Sequence, residues 1–340
     1  MALVIVNILK MFVISCKLLV PAIIHRRLSH IILMKTKIEF RSALLATIAS
    51  VGALMILAEV ASGQALYESD YGSGTVNEFS PDGMRTFATG VSGPNGLALD
   101  SLGNLYVANS SGGTITEVAP DGTEKTIASG LDSPWGVAVN RAGDVFVSSQ
   151  FGNTITKITP DGEQSTFASG LNEPYDLVFD KAGNLFEADW GSGRIYEFMN
   201  LHGELSTVRR VFASGLGRPT GMVFDSAGIL FVANGGVIGN VTEIMGGREK
   251  RIYATDLEDP LGLAFDDSGN LLVASGYDPG QRGDGNSITE ITRNGRRKGI
   301  FASGLNQPTG LVFRPMPEHS GWVVAPAGKS IALTACRGKG

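Results

Sequence analysis

The chain has 340 residues, 43% hydrophobic and 18% charged, with 45 Gly, 14 Pro and 2 Cys, which excludes a disulfide-stapled miniprotein and wholesale disorder. Residues 1–65 hold 7 of the 28 Lys/Arg and 2 of the 33 Asp/Glu, so the rest carries a net charge of −10 and no nucleic-acid partner is expected. Glycine is about 13% of the chain against a usual ~7%, without the every-third spacing of collagen, which points to many tight turns and an all-β fold.

The first element is an address. From Met34 the chain runs MKTKIEFR, then an apolar stretch from Ser42 to Ala58, then EVASGQA, which matches the basic, apolar and small-residue regions of a secretory signal. Cleavage is expected after Ala65, with Gly63 and Ala65 at the small-residue positions. A second apolar stretch lies upstream, broken by Lys10 and Lys17, and two export signals in series have no physical use. Residues 1–33 are therefore expected to be an over-extended reading frame, and residues 34–65 the signal peptide. An anchor helix is the alternative, but the run from Ser42 to Ala58 is at the short limit for a span needing ~20 residues. The body is expected outside the cell membrane, secreted or periplasmic, by bacterial-type export, with no membrane span of its own. Cys16 and Cys336 both lie outside it, so packing alone must hold it together.

The body repeats one unit. GPNGLALDSLGNLYVAN (from Gly93), SPWGVAVNRAGDVFVSS (from Ser133), EPYDLVFDKAGNLFEAD (from Glu173), RPTGMVFDSAGILFVAN (from Arg218) and DPLGLAFDDSGNLLVAS (from Asp259) align without a gap. Pro94, Pro134, Pro174, Pro219, Pro260 and Pro308 are 40, 40, 45, 41 and 48 residues apart. Within one unit, Gly96 to Leu99, Leu105 to Ala108, Thr114 to Val118 and Lys125 to Ala128 are predicted strands, separated by Asp/Gly, Gly-Gly and Pro-Asp-Gly turns. Four strands per unit at this period predict a propeller. The body begins at a second strand (Leu66 to Asp70) and ends on a lone first strand (Pro308 to Phe313), so joining the two completes a sixth blade and closes the ring.

These units, P-x-G-[LVM]-[AV]-[VLF]-[DN]-x-x-G-[ND]-L-[FY]-V-[AS] with P-D-G turns, resemble the NHL-repeat six-bladed propellers. The wider group includes the senescence-marker/gluconolactonase and virginiamycin-lyase-like proteins. The resemblance covers about residues 66–313 and implies a fold more than a function. Residues 314–340 leave the repeat: Pro315-Met316-Pro317-Glu318, a broken apolar stretch and a basic end resemble a bacterial PEP-CTERM sorting tail, although His319 and Lys329 depart from that pattern.

Two constellations are candidates for function. The residue after each proline, namely Asn95, Trp135, Tyr175, Thr220, Leu261 and Thr309, is expected to ring one mouth of the central channel, where aromatics beside an amide and hydroxyls suit a sugar or a peptide. Second, the slot of Val107, Val147, Val232 and Val273 holds Glu68 in the first copy and Glu187 in the fourth, each followed by an acid and an aromatic, E-S-D-Y-G and E-A-D-W-G. Buried carboxylates must be paired, protonated or cation-bound, and opposite copies could share one Ca²⁺ or Mg²⁺ site across the axis. The gluconolactonase resemblance implies a metal held by Glu, Asn and Asp at the channel mouth. Asn95 stands where such a ligand is expected, and Asp176 stands one place late, in the glycine position. Histidine catalysis of the lyase type is not expected, since the body offers only His202 and the tail His319. Arg282-Gly283-Asp284 is explained by a flexible loop, and the glycosylation acceptor pattern at Asn240 has no use in a protein of bacterial-type export.

The expected protein is a monomeric, exported binding module for a peptide, glycan or protein partner. A divalent-metal-dependent lactonase using Asn95, Asp176 and Glu68 or Glu187 is the alternative from another class, and a scaffold without a small-molecule site is the third.

Overall fold

The computed structural model describes residues 65–236, 239–247, 249–276 and 286–314. The expected signal peptide except Ala65, the expected sorting tail except Arg314, and Arg282-Gly283-Asp284 lie outside them. Among the described residues twenty-four strands form six four-stranded antiparallel sheets. The chain enters at β1 (Ala65–Asp70), β2 (Thr75–Ser80) and β3 (Gly83–Ala88), the outer three strands of blade 1. Blade 2 is β4 (Pro94–Leu99), β5 (Leu105–Asn109), β6 (Thr114–Val118) and β7 (Glu124–Ala128). Blade 3 is β8 (Pro134–Val139), β9 (Val145–Ser149), β10 (Thr154–Ile158) and β11 (Gln164–Ser169). Blade 4 is β12 (Pro174–Phe179), β13 (Leu185–Asp189), β14 (Arg194–Leu201) and β15 (Glu204–Ser214). Blade 5 is β16 (Pro219–Phe224), β17 (Leu230–Asn234), β18 (Gly239–Met245) and β19 (Glu249–Leu257). Blade 6 is β20 (Pro260–Phe265), β21 (Leu271–Ser275), β22 (Ser287–Ile291) and β23 (Arg297–Ser303), and β24 (Pro308–Arg314) returns as the inner strand of blade 1.

The expected closure is present: Leu66 pairs with Phe313, Tyr67 with Val312 and Glu68 with Leu311. Ala65, the residue before the expected cut, is a buried member of β1 opposite Arg314. The first sheet is thus tied at both ends of the described chain, and no inner strand is left as a pairing template.

Local chemistry sets the turns. In the first-to-second strand connection, Asp100 Oδ1 accepts from the backbone N–H of Leu102 (2.8 Å) and Asn104 (2.9 Å), while Gly103 turns through φ 85°. Asn140, Asp180, Asp225 and Asp266 accept from the chain in the same way. Strand alternation is replaced by burial on both faces, because each blade packs between two neighbours. Apolar side chains accordingly gather in six clusters, one per seam. In the seam of blades 3 and 4, Phe146 meets Phe167 and Phe179 edge-on at 5.1 and 5.6 Å; in the next seam, Phe186 meets Phe212 and Phe224 at 4.9 and 5.0 Å. Burying one such ring contributes about 2–3 kcal/mol.

At the centre the inner strands approach closely. A Cβ on Gly136 would collide with the carbonyl of Tyr175, and one on Gly221 with that of Leu261, so the third position of an inner strand admits almost nothing larger than glycine. Blade 4 breaks the rule with Asp176.

Candidate functional site

Where the inner strands begin, two concentric rings of side chains form a mouth. The inner ring is the expected one: Asn95, Trp135, Tyr175, Thr220, Leu261 and Thr309 all line one cavity of about 420 Å³. The outer ring comes from the residues just before the prolines. Gly93, Ser133, Glu173, Arg218, Asp259 and Gln307 all have positive φ, between 37° and 63°. Five of the six are not glycine, although each non-glycine residue in that region costs about 1–3 kcal/mol. Their carbonyls hold the next turn: Gln150 N donates to Ser133 O, Trp190 N to Glu173 O, and Gly235 N to Arg218 O.

One half of this mouth is aromatic. Trp135 and Tyr175 lie 4.4 Å apart at 41°, Tyr175 and Trp190 stack at 5.8 Å and 12°, and the Arg218 guanidinium sits 4.9 Å over Trp190. This continuous shelf crosses blades 3, 4 and 5. Gln150 Nε2 donates to the Tyr175 hydroxyl at 3.3 Å, and burial beside Glu173 and Asp259 pushes that phenol up to about 12, so it stays neutral. Ser148 fixes the shelf from behind: its hydroxyl donates to the Tyr175 carbonyl and accepts from Gly136 N at 2.8 Å. Asp259 Oδ1 accepts from Gly236 N at 3.0 Å, which sets the far wall.

Two hydroxyls of the inner ring brace it. Thr309 donates to the carbonyl of Pro94 (2.9 Å) and Thr220 to that of Pro260 (2.7 Å), each reaching into the following blade. What these two hydroxyls offer the cavity is acceptor lone pairs. Asn95 is different. It is 0% exposed, and neither its Oδ1 nor its Nδ2 has a protein partner.

Below the mouth the channel encloses about 370 Å³ and is walled by the inner strands, among them Leu97, Val137, Met222 and Leu263. Asp176 lines it, with Oδ1 accepting from Leu177 N (2.9 Å) and Oδ2 from Met222 N of blade 5 (2.7 Å). Burial lifts its carboxyl to about 7 against these two N–H groups.

Glu68 and Glu187 are not brought together. The second strands stand behind the inner strands, so each carboxyl is enclosed within its own blade, flanked by Leu311 and Asn77 for Glu68 and by Leu177 and Tyr196 for Glu187. Glu68 accepts from Asn77 Nδ2 at 2.9 Å through one oxygen; both oxygens of Glu187 lack a partner. Burial pushes Glu68 up to about 8 and Glu187 well above the carboxylate range, so protonation is what makes both tolerable. Their companions do separate work: Asp70 accepts from Asn306 N (2.8 Å) and Asp189 from Asn172 N (2.7 Å), bracing the loops before the prolines. The expected cation site across the axis is not formed, and among the described residues no group of three or more His, Cys, Asp or Glu is placed to hold a metal. Asn95 and Asp176 share the channel without the glutamate that the gluconolactonase resemblance implies. The residues therefore do not fit that metal.

The sequence missed Trp190, Tyr71 and Arg218, all of which line the mouth. A signal was present: Tyr71 and Trp190 are the aromatics that follow the two E-x-D motifs, in a slot that holds Ser110, Gln150, Gly235 and Gly276 elsewhere.

This architecture defines a six-bladed β-propeller with four-stranded blades. Among solved structures it is similar to a propeller in a nidogen/laminin complex (21% identity, 74% of this chain and 98% of that chain covered, TM-score 0.63). It is also similar to a streptogramin B lyase (16%, 73% and 83%, 0.55) and to a gluconolactonase from Xanthomonas campestris (18%, 64% and 78%, 0.53). These identities establish likeness of fold. No family model and no curated protein matches the chain. Among the described residues no helix is long and apolar enough to cross a membrane.

Proposed function

We propose that the protein is an exported binding module that takes a peptide, glycan or protein partner at the mouth of its channel. The observation that carries this reading is the Trp135–Tyr175–Trp190–Arg218 shelf, which presents flat apolar faces beside an open cavity. The outer ring supports it. A purely structural pre-proline position would be served by glycine, as Gly93 serves blade 2, yet five blades hold larger residues there in a strained conformation, and three of these, Arg218, Asp259 and Gln307, line the cavity. The propeller of the nidogen/laminin complex gives a precedent for protein binding by this fold.

The test is a screen of glycan and peptide panels by tryptophan fluorescence and calorimetry, repeated with Trp135→Ala and Trp190→Ala. Loss of a buried aromatic contact should weaken binding roughly tenfold or more without lowering the melting temperature by more than a few degrees. A ligand that binds both variants as well as the parent would place the site elsewhere and refute the reading.

A further inference from the structure

Among the described residues Asp176 is the only ionisable one lining the channel, and it occupies the position that is Gly96, Gly136, Gly221, Gly262 and Gly310 in the other five blades. Five blades build the same inner strand with glycine, so the fold does not require a carboxylate there. Each of its oxygens accepts one backbone N–H and keeps a second lone pair. The same channel is lined by Asn95, two blades away, wholly buried and with neither amide atom partnered within the protein, an arrangement that costs free energy until something is bound.

We propose that the channel receives a protonated amine, with Asp176 as its anionic contact and Asn95 as a second polar contact. The ligands of the mouth are then ring-bearing molecules that carry an ammonium group. This rests on the reading of the mouth as a binding site and narrows its chemistry. A hard divalent ion demands six or more oxygen ligands, whereas one carboxylate and one amide among aromatic faces suit an ammonium group, which needs few acceptors and is attracted by ring faces. The ring packs against Trp135 at the mouth, and the amine reaches one residue deeper, since Asp176 directly follows Tyr175 of the shelf.

The binding is coupled to protons. The adjacent inner strands bring main chain to Asp176 at Gly136 and Met222; the charged groups that line the mouth are Arg218 and Asp259, and Glu173 acts on Tyr175. Because burial holds the Asp176 carboxyl near 7, the amine should displace its proton. Affinity should climb roughly tenfold per pH unit below that value and level off above it.

The experiment titrates the full-length protein with phenethylamine and with 2-phenylethanol, its neutral counterpart, at about pH 5.5 and about pH 8.5. The amine should bind roughly ten- to a hundredfold tighter than the alcohol at the higher pH, with that advantage shrinking at the lower one. In Asp176→Asn and in Asp176→Gly, which restores the residue of the other blades, the advantage of the amine over the alcohol should vanish. Equal affinities in the parent, a pH-independent advantage, or a folded variant that keeps it would each overturn the proposal. Binding of neither probe also overturns it, and leaves the glycan and peptide screen to judge the mouth by itself.

Discussion

Blades 3 to 5 and blades 6, 1 and 2 present opposite halves of one mouth, built from the same repeat. The first half carries Trp135, Tyr175, Trp190 and Arg218 stacked over open space. The second carries Thr309, which ties the inner strand of blade 1 to that of blade 2. The repeat therefore supplies the scaffold everywhere, and the residues proposed to bind stand in the positions where copies disagree. Asp176 in a ring of glycines and Glu187 in a row of valines are the clearest disagreements, and the two behave differently: Asp176 faces the channel, while Glu187 is sealed inside the protein.

The strongest way to break this comparison is to remove what both halves share. Deleting residues 308–314 leaves β1 without its partner and blade 1 incomplete, and should abolish cooperative unfolding and cause aggregation; a deletion variant that melts like the parent would refute the closure. Gly221→Val should act comparably, at a cost above about 4 kcal/mol, because no space exists beside the Leu261 carbonyl.

The sealed carboxyls sharpen the contrast. Glu68 and Glu187 hold protons in the folded protein that the unfolded chain releases near pH 4.5. Their contribution to stability is thus complete below that pH and falls as pH rises, until Glu68 ionises near 8. Melting temperature should decline between pH 5 and pH 8. Glu187→Val, the residue of blades 2, 3, 5 and 6, should stabilise the protein at neutral pH by about 2–3 kcal/mol and flatten the pH profile. An unchanged profile would mean that Glu187 is ionised and satisfied.

Thr309→Val deletes one buried inter-blade hydrogen bond and should cost about 1–2 kcal/mol, or several degrees in melting temperature, with no need for ligand to reveal it. Arg218→Ala is expected to be the mildest for the fold, at most ~1 kcal/mol, because the guanidinium is exposed. Its larger effect should appear in ligand binding, and that division between stability and affinity is what separates the two halves of the mouth.

The sequence by itself determined the blade count, the strand boundaries of blade 2 to within two residues, the closure by β1 and β24, and the inner ring, because these follow from turn chemistry and a fixed period that each copy repeats locally; it did not show how far the fourth strands of blades 4, 5 and 6 extend. It also exposed the anomalous acids, since an alignment of copies shows any departure. Only the tertiary structure decided what those acids do. Whether Glu187 meets its opposite number or is enclosed in its own blade depends on how far the second strand stands from the axis, and no single repeat encodes that distance. The same holds for the shelf: Trp135, Trp190 and Arg218 come from three different blades, and it is the rotation of one blade against the next that brings their flat faces into line.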